Sequence, residues 1–373
     1  HLRQRKLIQP AFHRQRIAAY AEKIVDIAAH TRDRWQPGET IDIAAASMSL
    51  SLESVARTLF DTEVTNDVRS INDEVSLIMG LYNLIVSLPR LESYPHLPIP
   101  GARKFRRSRN RLHRIVDRLI HQRRSEMLAD PTHRDRGDLL SMLIVSRYEP
   151  TDPASAEGIS GEQGMSDTQI RDEVLTIFLA GYETVANALG WTWYCLSQNP
   201  AAEFTLHAEL DRVLTGRLPT LADYRNLPYT EQVFAESMRL YPPAWAMGRM
   251  STRPVTLGPY TIPAGTHFFF SQYIIQRSAQ YFTDPLRFDP ARHTPEARAA
   301  RPRFAYFPFG GGSRQCIGES FAWMEGVLTL ATIASRWRLT YLGDAPPVPQ
   351  ARITLRPREP LLMRLIPRSS SSV

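Results

Sequence analysis

Apolar residues recur at helical spacing along much of the chain, which predicts a mainly helical protein. Each predicted helix has an apolar face and a polar face. These helices span residues 11–35, 41–60, 66–88, 102–129, 201–215 and 229–240. The sequence YPHLPIPG at residues 94–101 predicts a rigid loop between two of them. Residues 150–164 are rich in Pro, Gly, Ser and Ala, and we interpret them as an exposed linker.

One further helix is predicted to be longer and more apolar than the rest. Ser166 and Gln169 have the spacing of a capping box, which predicts its start. Asn199 and Pro200 predict its end, near Ser197. The residues between are apolar nearly all round, so we expect this helix to cross the core.

Strand patterns are short and come late in the chain. Residues 255–262 and 267–275 flank the turn sequence PAG, and we predict a hairpin there. Residues 353–356 and 361–365 predict a second hairpin. The order of elements favours a mainly α fold with a small mixed β annex. We expect one domain over residues 1–373, α-rich in 1–250, with the hairpins and a glycine-rich cysteine loop in 251–373.

Composition limits the class of protein. The chain has 373 residues, of which 43% are hydrophobic and 22% are charged, as in ordinary globular proteins. Two cysteines do not make a disulfide framework, and no apolar stretch approaches the roughly 18 residues of a membrane span. We therefore expect a soluble, cytoplasmic protein. The sequence starts at His1 within a helical pattern, so we expect upstream residues, which would reveal any signal or anchor.

The net charge of +7 is concentrated partly in a basic run at residues 103–124. Such a run can bind nucleic acid. Here Leu112, Ile115, Val116 and Leu119 recur at helical spacing, and Phe105 is the only Phe, Tyr or Trp in the run that could stack on a base. We interpret the run as the solvated face of a packed helix and expect no nucleic-acid partner.

The candidate chemistry starts with residues 309–318, which read FGGGSRQCIG and precede an apolar helix. A thiolate at Cys316 would be stabilised by the helix N-terminus and by nearby cations. The glycines allow the backbone to approach a flat ligand closely, and Arg314 could reach an anionic group on it. A free buried cysteine after a turn is the alternative for Cys316 alone. The other cysteine, Cys195, is predicted to be a small core residue.

Two further groups of polar residues lie in apolar helical surroundings. Ala180, Gly181 and Thr184 share one small-sided face of the long helix, and Glu183 adds a carboxyl group beside it. The alternatives are a Thr184 hydroxyl bonded back to its own helix and a Glu183 paired elsewhere. Glu236 and Arg239 are spaced i, i+3, so their charges share a helix face.

Together these motifs resemble the cytochrome P-450 family of bacterial type. In that family the cysteine of the F-x-x-G-x-R-x-C-x-G loop is the axial ligand of haem iron. The resemblance implies that Cys316 binds the iron and that Thr184 and Glu183 deliver protons during oxygen activation. It also implies a structural triad of Glu236, Arg239 and Arg292, although Ala291 replaces the usual glutamate before Arg292.

The resemblance implies further contacts. For the cofactor, haem b (iron protoporphyrin IX), they are Phe309, Gly310, Arg314, Gly318, Ala180, Gly181, and the propionate-binding His1, Arg5 and Arg249. For the substrate they are Phe178, Ala244, Trp245, Met247 and the turn at 351–353. The fold implied is that of the family without its first strands and helices, as in an N-terminally truncated chain.

The implied function is a monooxygenase that inserts one atom of O2 into a hydrophobic small molecule. Electrons would come from NAD(P)H through a ferredoxin or flavodoxin and its reductase, docked on the cysteine side of a monomer. Two alternatives remain open. One is a peroxide-using or isomerase-type haem-thiolate enzyme, and the other is a non-catalytic haem carrier or sensor.

Overall fold

The computed structural model describes residues 2–61, 74, 77, 102–130, 136–146 and 165–368. Its helices are α1 (Leu2–Ile8), α2 (Arg14–Arg34), α3 (Ile43–Leu59), α4 (Ala102–Ala129), α5 (Leu139–Val145), α6 (Asp167–Gln198), α7 (Pro200–Leu214), α8 (Pro228–Leu240), α9 (Gln272–Ile275), α10 (Pro295–Ala299) and α11 (Glu319–Ala334). Its strands are β1 (Thr40–Asp42), β2 (Met247–Met250), β3 (Val255–Leu257), β4 (Tyr260–Ile262), β5 (His267–Phe270), β6 (Trp337–Tyr341), β7 (Pro349–Ala351), β8 (Leu355–Pro357) and β9 (Leu362–Pro367).

The helical predictions within the described residues are confirmed. The long helix α6 starts at the predicted capping box, in which Ser166 accepts from the Gln169 backbone and Gln169 accepts from that of Ser166. The predicted helix at 41–60 starts later, at Ile43, because Asp42 ends a strand and caps the helix with its carboxylate. The predicted helix at 66–88, the loop at 94–101 and the linker at 150–164 lie outside the described residues.

Both predicted hairpins are wrong in their strand pairing. Residues 255–262 form a hairpin by themselves, since β3 pairs with β4. Strand β5 pairs instead with β2. In the second case β8 pairs with β7, whereas β9 lies between β1 and β6. Every described pair is antiparallel, rather than mixed.

Helix α11 lies at the centre of the packing because it is apolar all round. One side packs through Val327 and Leu330 into a cluster that also contains Trp191 of α6 and Phe234 of α8. Its other side packs through Leu328 and neighbouring residues against α2 and α3. Cys195, a predicted core residue, is 3% exposed in the first cluster. None of the described helices combines the length and the hydropathy that crossing a bilayer requires.

One carboxyl group is buried within this packing without a cation. Glu325 of α11 is fully buried, and Ser51 of α3 donates a hydrogen bond of 2.7 Å to its Oε1. Burial raises the pKa of Glu325 to about 8 because the charged form loses its hydration. The folded protein therefore holds a proton at neutral pH that an unfolded chain releases.

This proton predicts a loss of stability as the pH rises from about 5 to 8. The unfolded glutamate is already ionised over most of this range, so the free energy of unfolding falls by at most about 1.4 kcal/mol per pH unit from this group. Glu325→Gln keeps an acceptor for Ser51 and removes the titration. We expect the free energy of unfolding, measured with denaturant at several pH values, to fall less steeply with pH in Glu325→Gln than in wild type. The exposed Glu296→Gln is the control and should keep the wild-type slope. Equal slopes in wild type and Glu325→Gln would contradict the assignment.

Candidate functional site

A cavity of about 340 Å³ lies between α6 and the loop that carries Cys316. Apolar side chains from several elements form most of its wall. They include Phe12, Leu59, Ile177, Ala188, Phe234, Met238, Pro243, Ile317 and Phe321. The volume is within the range of small-molecule sites. Such a wall excludes water and favours an apolar occupant.

The cysteine loop forms one wall of the cavity. Gly310 has a φ of +73°, a conformation that disfavours any side chain, and it follows Phe309, whose carbonyl accepts a 3.0 Å hydrogen bond from the backbone of Cys316. Gly318, immediately before α11, donates its backbone N–H to the Cys316 sulfur. The cavity lining includes Phe309, Gly310, Cys316 and Gly318, and their contact with haem stays a prediction.

Cys316 is an exposed residue that lines the cavity, while protein atoms surround much of its sulfur. Burial raises its pKa above the ordinary value, and this outweighs the hydrogen bond from Gly318 and the charge of Arg5. The sequence predicts that the helix N-terminus and nearby cations help to stabilise a thiolate at Cys316. They do not offset the effect of burial, so a bound metal cation would have to supply the remaining stabilisation.

Cations at the cavity fit a ligand with two carboxylates. Arg249 and Arg314 line it, both are exposed, and neither forms an ion pair with a described residue. Arg5 is placed differently from the prediction: its Nη1 donates 2.7 Å to the carbonyl of Gln315, and it is not part of the cavity wall. His1 lies outside the described residues.

Gln272 is a polar residue of the cavity wall that the sequence analysis missed. It is fully buried, and neither its amide nitrogen nor its amide oxygen has a hydrogen-bond partner among the described residues. A buried amide without partners is costly unless a ligand satisfies it. The sulfur, the two unpaired guanidinium groups and this amide fit a haem with propionates, and they identify Gln272 as a further candidate contact.

Another part of the cavity wall is the face of α6 that was predicted from its small residues. Ala180, Gly181 and Thr184 line the cavity. The Thr184 hydroxyl donates 2.8 Å to the carbonyl of Ala180, so its oxygen keeps acceptor capacity on the cavity side. Gly181 also serves packing, since a Cβ there would lie 3.0 Å from a methyl group of Val55 in α3.

Glu183 lies behind this wall rather than in it. Its side chain is 2% exposed and is not part of the cavity lining. Oε1 accepts a 2.6 Å hydrogen bond from Thr354 and lies 3.4 Å from a guanidinium nitrogen of Arg356. Glu183 and Thr184, the expected acid and alcohol, are therefore adjacent in sequence, but only Thr184 lines the cavity.

The residues predicted to contact substrate divide into two groups. Ala244 and Met247 line the cavity. Phe178 does not, because its ring packs between those of Phe60 and Tyr182 at centroid distances of 5.8 and 6.0 Å. Trp245 does not either, because its indole N–H donates 2.7 Å to the carbonyl of Arg352 in the turn at 351–353. That turn also lies outside the wall.

Glu236 and Arg239 form a fully buried pair with two hydrogen bonds of 2.7 and 2.8 Å. Burial opposes ionisation of Glu236, but hydrogen bonds from Arg239 and His293 hold its pKa below the ordinary value. Nη1 of Arg239 donates to the backbone carbonyls of Gln276 and Pro285, and Nη2 donates to that of Arg287 as well as to Glu236. This pair therefore fixes several turns at once.

The third member of the predicted triad differs in its role. Arg292 Nε lies 3.4 Å from Glu236 without a hydrogen bond, and its Nη2 donates to the carbonyl of Asp284. The next residue, His293, is 1% exposed, and its Nε2 lies 2.9 Å from Glu236 Oε2. Burial lowers the pKa of His293, and since a carboxylate only accepts, we assign the neutral ring with the proton on Nε2.

Comparison with known proteins shows extensive sequence similarity. The family model described as Cytochrome P-450 matches residues 1–364. Cyclooctatin synthase of Streptomyces melanosporofaciens is 38% identical over 372 residues, which cover 98% of this chain and 76% of the relative. Cyclooctat-9-en-7-ol 5-monooxygenase of the same organism is 38% identical and covers 91% and 70%. Pentalenene oxygenase of Streptomyces avermitilis is 37% identical and covers 99% and 78%.

Solved structures show the same fold. The heme domain of cytochrome P450DA superposes with a TM-score of 0.83 at 24% identity, covering 97% of this chain and 76% of that one. A mutant of the same domain gives a TM-score of 0.84 at 23% identity and covers 99% and 77%.

The buried pair predicts a large effect of Arg239→Ala. This change leaves the Glu236 carboxylate buried and uncompensated, so we expect a loss of about 3–5 kcal/mol in the free energy of unfolding and little haem-loaded protein. Denaturant unfolding and the yield of haem-binding protein measure both. Arg298→Ala, which breaks the partly exposed pair with Glu231, is the control and should cost about 1 kcal/mol or less.

The same geometry ranks the two other neighbours of Glu236. His293→Leu should cost more than Arg292→Leu, because His293 is hydrogen-bonded to the carboxylate and Arg292 is not. The reverse order, or well-folded haem-loaded Arg239→Ala with only altered turnover, would contradict the structural role.

Proposed function

The chain belongs to the cytochrome P-450 family, and on that premise we propose that it is a haem-thiolate monooxygenase acting on a terpenoid. The observation that carries this proposal is that Cys316 and Thr184 line the same apolar cavity. Two relatives that are 37–38% identical have names that describe them as a monooxygenase and an oxygenase, and their named substrates are terpenoid. The overall reaction converts substrate, O2, two electrons and two protons into hydroxylated substrate and water.

The residues of the cysteine wall would hold the haem. Cys316 supplies the sulfur ligand, while Arg249 and Arg314 offer guanidinium groups to the propionates. Gln272 offers a buried amide beside them. When bound here, the haem supplies the activation of O2, which amino-acid side chains do not provide.

The residues of the α6 wall would control substrate and protons. Ala180 and Gly181 leave room close to the haem face, and the apolar wall binds a hydrocarbon substrate while it excludes water. The Thr184 hydroxyl can accept a hydrogen bond on the cavity side and pass a proton onward. Glu183 would supply protons from behind the wall, although it does not touch the cavity itself.

We propose that the protein acts as a monomer and that its electrons come from a separate partner. A ferredoxin or flavodoxin with its NAD(P)H-dependent reductase would supply both electrons.

Thr184→Val tests the proposed function because it removes the hydroxyl at nearly constant volume. Haem binding and NAD(P)H consumption should persist with a surrogate redox partner, but more consumed O2 should appear as hydrogen peroxide and less as product. The measurement is product and peroxide formed per NAD(P)H, with peroxide-driven turnover run in parallel. Thr192→Val, which removes a similarly helix-bonded hydroxyl from the core part of α6, is the control.

Two outcomes would contradict the proposal. Unchanged product yield in Thr184→Val would mean that the Thr184 hydroxyl only bonds to its own helix and takes no part in proton delivery. Turnover by wild-type protein with peroxide alone, and none with NAD(P)H and partners, would favour a peroxide-using enzyme.

A further inference from the structure

The exposed face of α4 carries positive charge that the described residues do not balance. Several of its arginines are exposed and form no ion pair with a described residue: Arg106, Arg107, Arg109, Arg114 and Arg118. Part of this face borders a groove of about 600 Å³, whose lining also includes Arg171 of α6. The groove and the cavity that contains Cys316 share no lining residue, so the groove is distinct from the site described above.

Two of the four arginines that line this groove are already paired. Arg111 forms an ion pair with Glu74. Nη1 of Arg171 donates to the carboxylate of Asp117, at 3.2 and 3.4 Å from its two oxygens. Nε of Arg171 is buried, and it has no hydrogen-bond partner in the part of the chain that the structure describes. Asp117 is the one carboxylate in the described lining, and its charge is offset by Arg171.

The other two arginines of the lining, Arg107 and Arg114, leave the groove with an excess of positive charge. Both are exposed, and Nε of Arg114 donates only to a carbonyl of its own helix. They are seven residues apart, so they lie about 10 Å from each other along one face of α4. Burial, and then the charges of Arg171 and Arg109, lower the pKa of His113, which also lines the groove. The described residues therefore offer two unpaired guanidinium groups to one ligand.

We propose that this groove binds a small phosphate-type anion with at least two negative charges, for which inorganic diphosphate is the probe. Guanidinium groups bind phosphate oxygens through paired N–H donors, and such charge-assisted hydrogen bonds are strong. Diphosphate has charge for both Arg107 and Arg114. A concave groove with a carboxylate in its lining favours a small anion over a flat lipid surface or a nucleic acid, which would need an open, uniformly basic face.

A bound anion would connect two helices. The groove is lined by residues of α4 and by Arg171 of α6, and the same α6 lines the cavity further along, at Ala180. A ligand held from both helices binds the folded protein and not the unfolded chain, so it should stabilise the fold. The proposal does not depend on monooxygenase activity.

The first test is calorimetric titration of the haem-loaded protein with inorganic diphosphate, at constant ionic strength and without divalent cations. Arg107→Gln and Arg114→Gln should each weaken binding about tenfold or more, because each removes a charge-assisted hydrogen bond. Arg253→Gln is the matched control. Arg253 is exposed, lies between β2 and β3 outside the groove, and forms no ion pair with a described residue, so the affinity should change by about twofold or less.

Asp117→Asn tests the same site in the opposite direction. The change removes a negative charge from the lining and releases Arg171 from its ion pair, so diphosphate should bind about fivefold more tightly or better. Asp117 is partly exposed, and the fold should tolerate the amide. Weaker binding in this variant would contradict the proposal.

A thermal readout completes the test. Diphosphate should raise the melting temperature of the wild type and have no such effect on Arg107→Gln/Arg114→Gln, compared with sodium chloride at equal ionic strength. The proposal is overturned if the double variant binds diphosphate as the wild type does, or if sodium chloride gives the same shift. Binding to anionic phospholipid vesicles that diphosphate does not displace, without calorimetric binding of diphosphate, would assign the basic face to a membrane and also overturn it.

Discussion

The buried charge pair of Glu236 and Arg239 is the constraint on which the site depends. Two desolvated charges are stable only while their remaining hydrogen bonds are made. Arg239 meets this requirement by binding the carbonyl of Gln276, and the side chain of Gln276 accepts a 2.9 Å hydrogen bond from the backbone of Phe307. Phe307 in turn accepts from Gly310, where the cysteine loop turns. The position of Cys316 is thus coupled to a charge pair on another helix.

The groups that position the cysteine loop differ from the group that would react. Backbone hydrogen bonds and the hydrogen bonds of Arg239 hold the loop, and these bonds do not involve the side-chain sulfur of Cys316. Burial raises the pKa of Cys316, so a bound metal cation would be needed to offset the lost hydration of a thiolate there. Helix α6 combines a small-residue face that lines the cavity with the buried carboxylate of Glu183, which contacts Thr354 and Arg356. In this account the cysteine loop binds the haem, and α6 controls substrate and protons.

Much of this could be predicted from local sequence patterns, and the exceptions have physical causes. Helix α6 was predicted with its capping box because periodicity and caps are local signals. The second hairpin prediction failed because β9 pairs with β1, more than three hundred residues away along the chain, and such pairing leaves no local trace. The first failed because β5 pairs with β2, beyond the β3–β4 hairpin that lies between them in sequence. Cys316 and Thr184 were found through motifs. The roles of Gln272, His293 and Arg356 depend on contacts between distant segments, so sequence alone did not assign them.

The most direct test of the central claim is the spectrum of the reduced, CO-bound protein in single-cysteine variants. The chain has two cysteines, so Cys195→Ser leaves Cys316 as the single thiol and Cys316→Ser leaves only Cys195. The account predicts that Cys195→Ser keeps the strongly red-shifted Soret band of thiolate haem and that Cys316→Ser loses it. Retention of that band in Cys316→Ser would contradict the account.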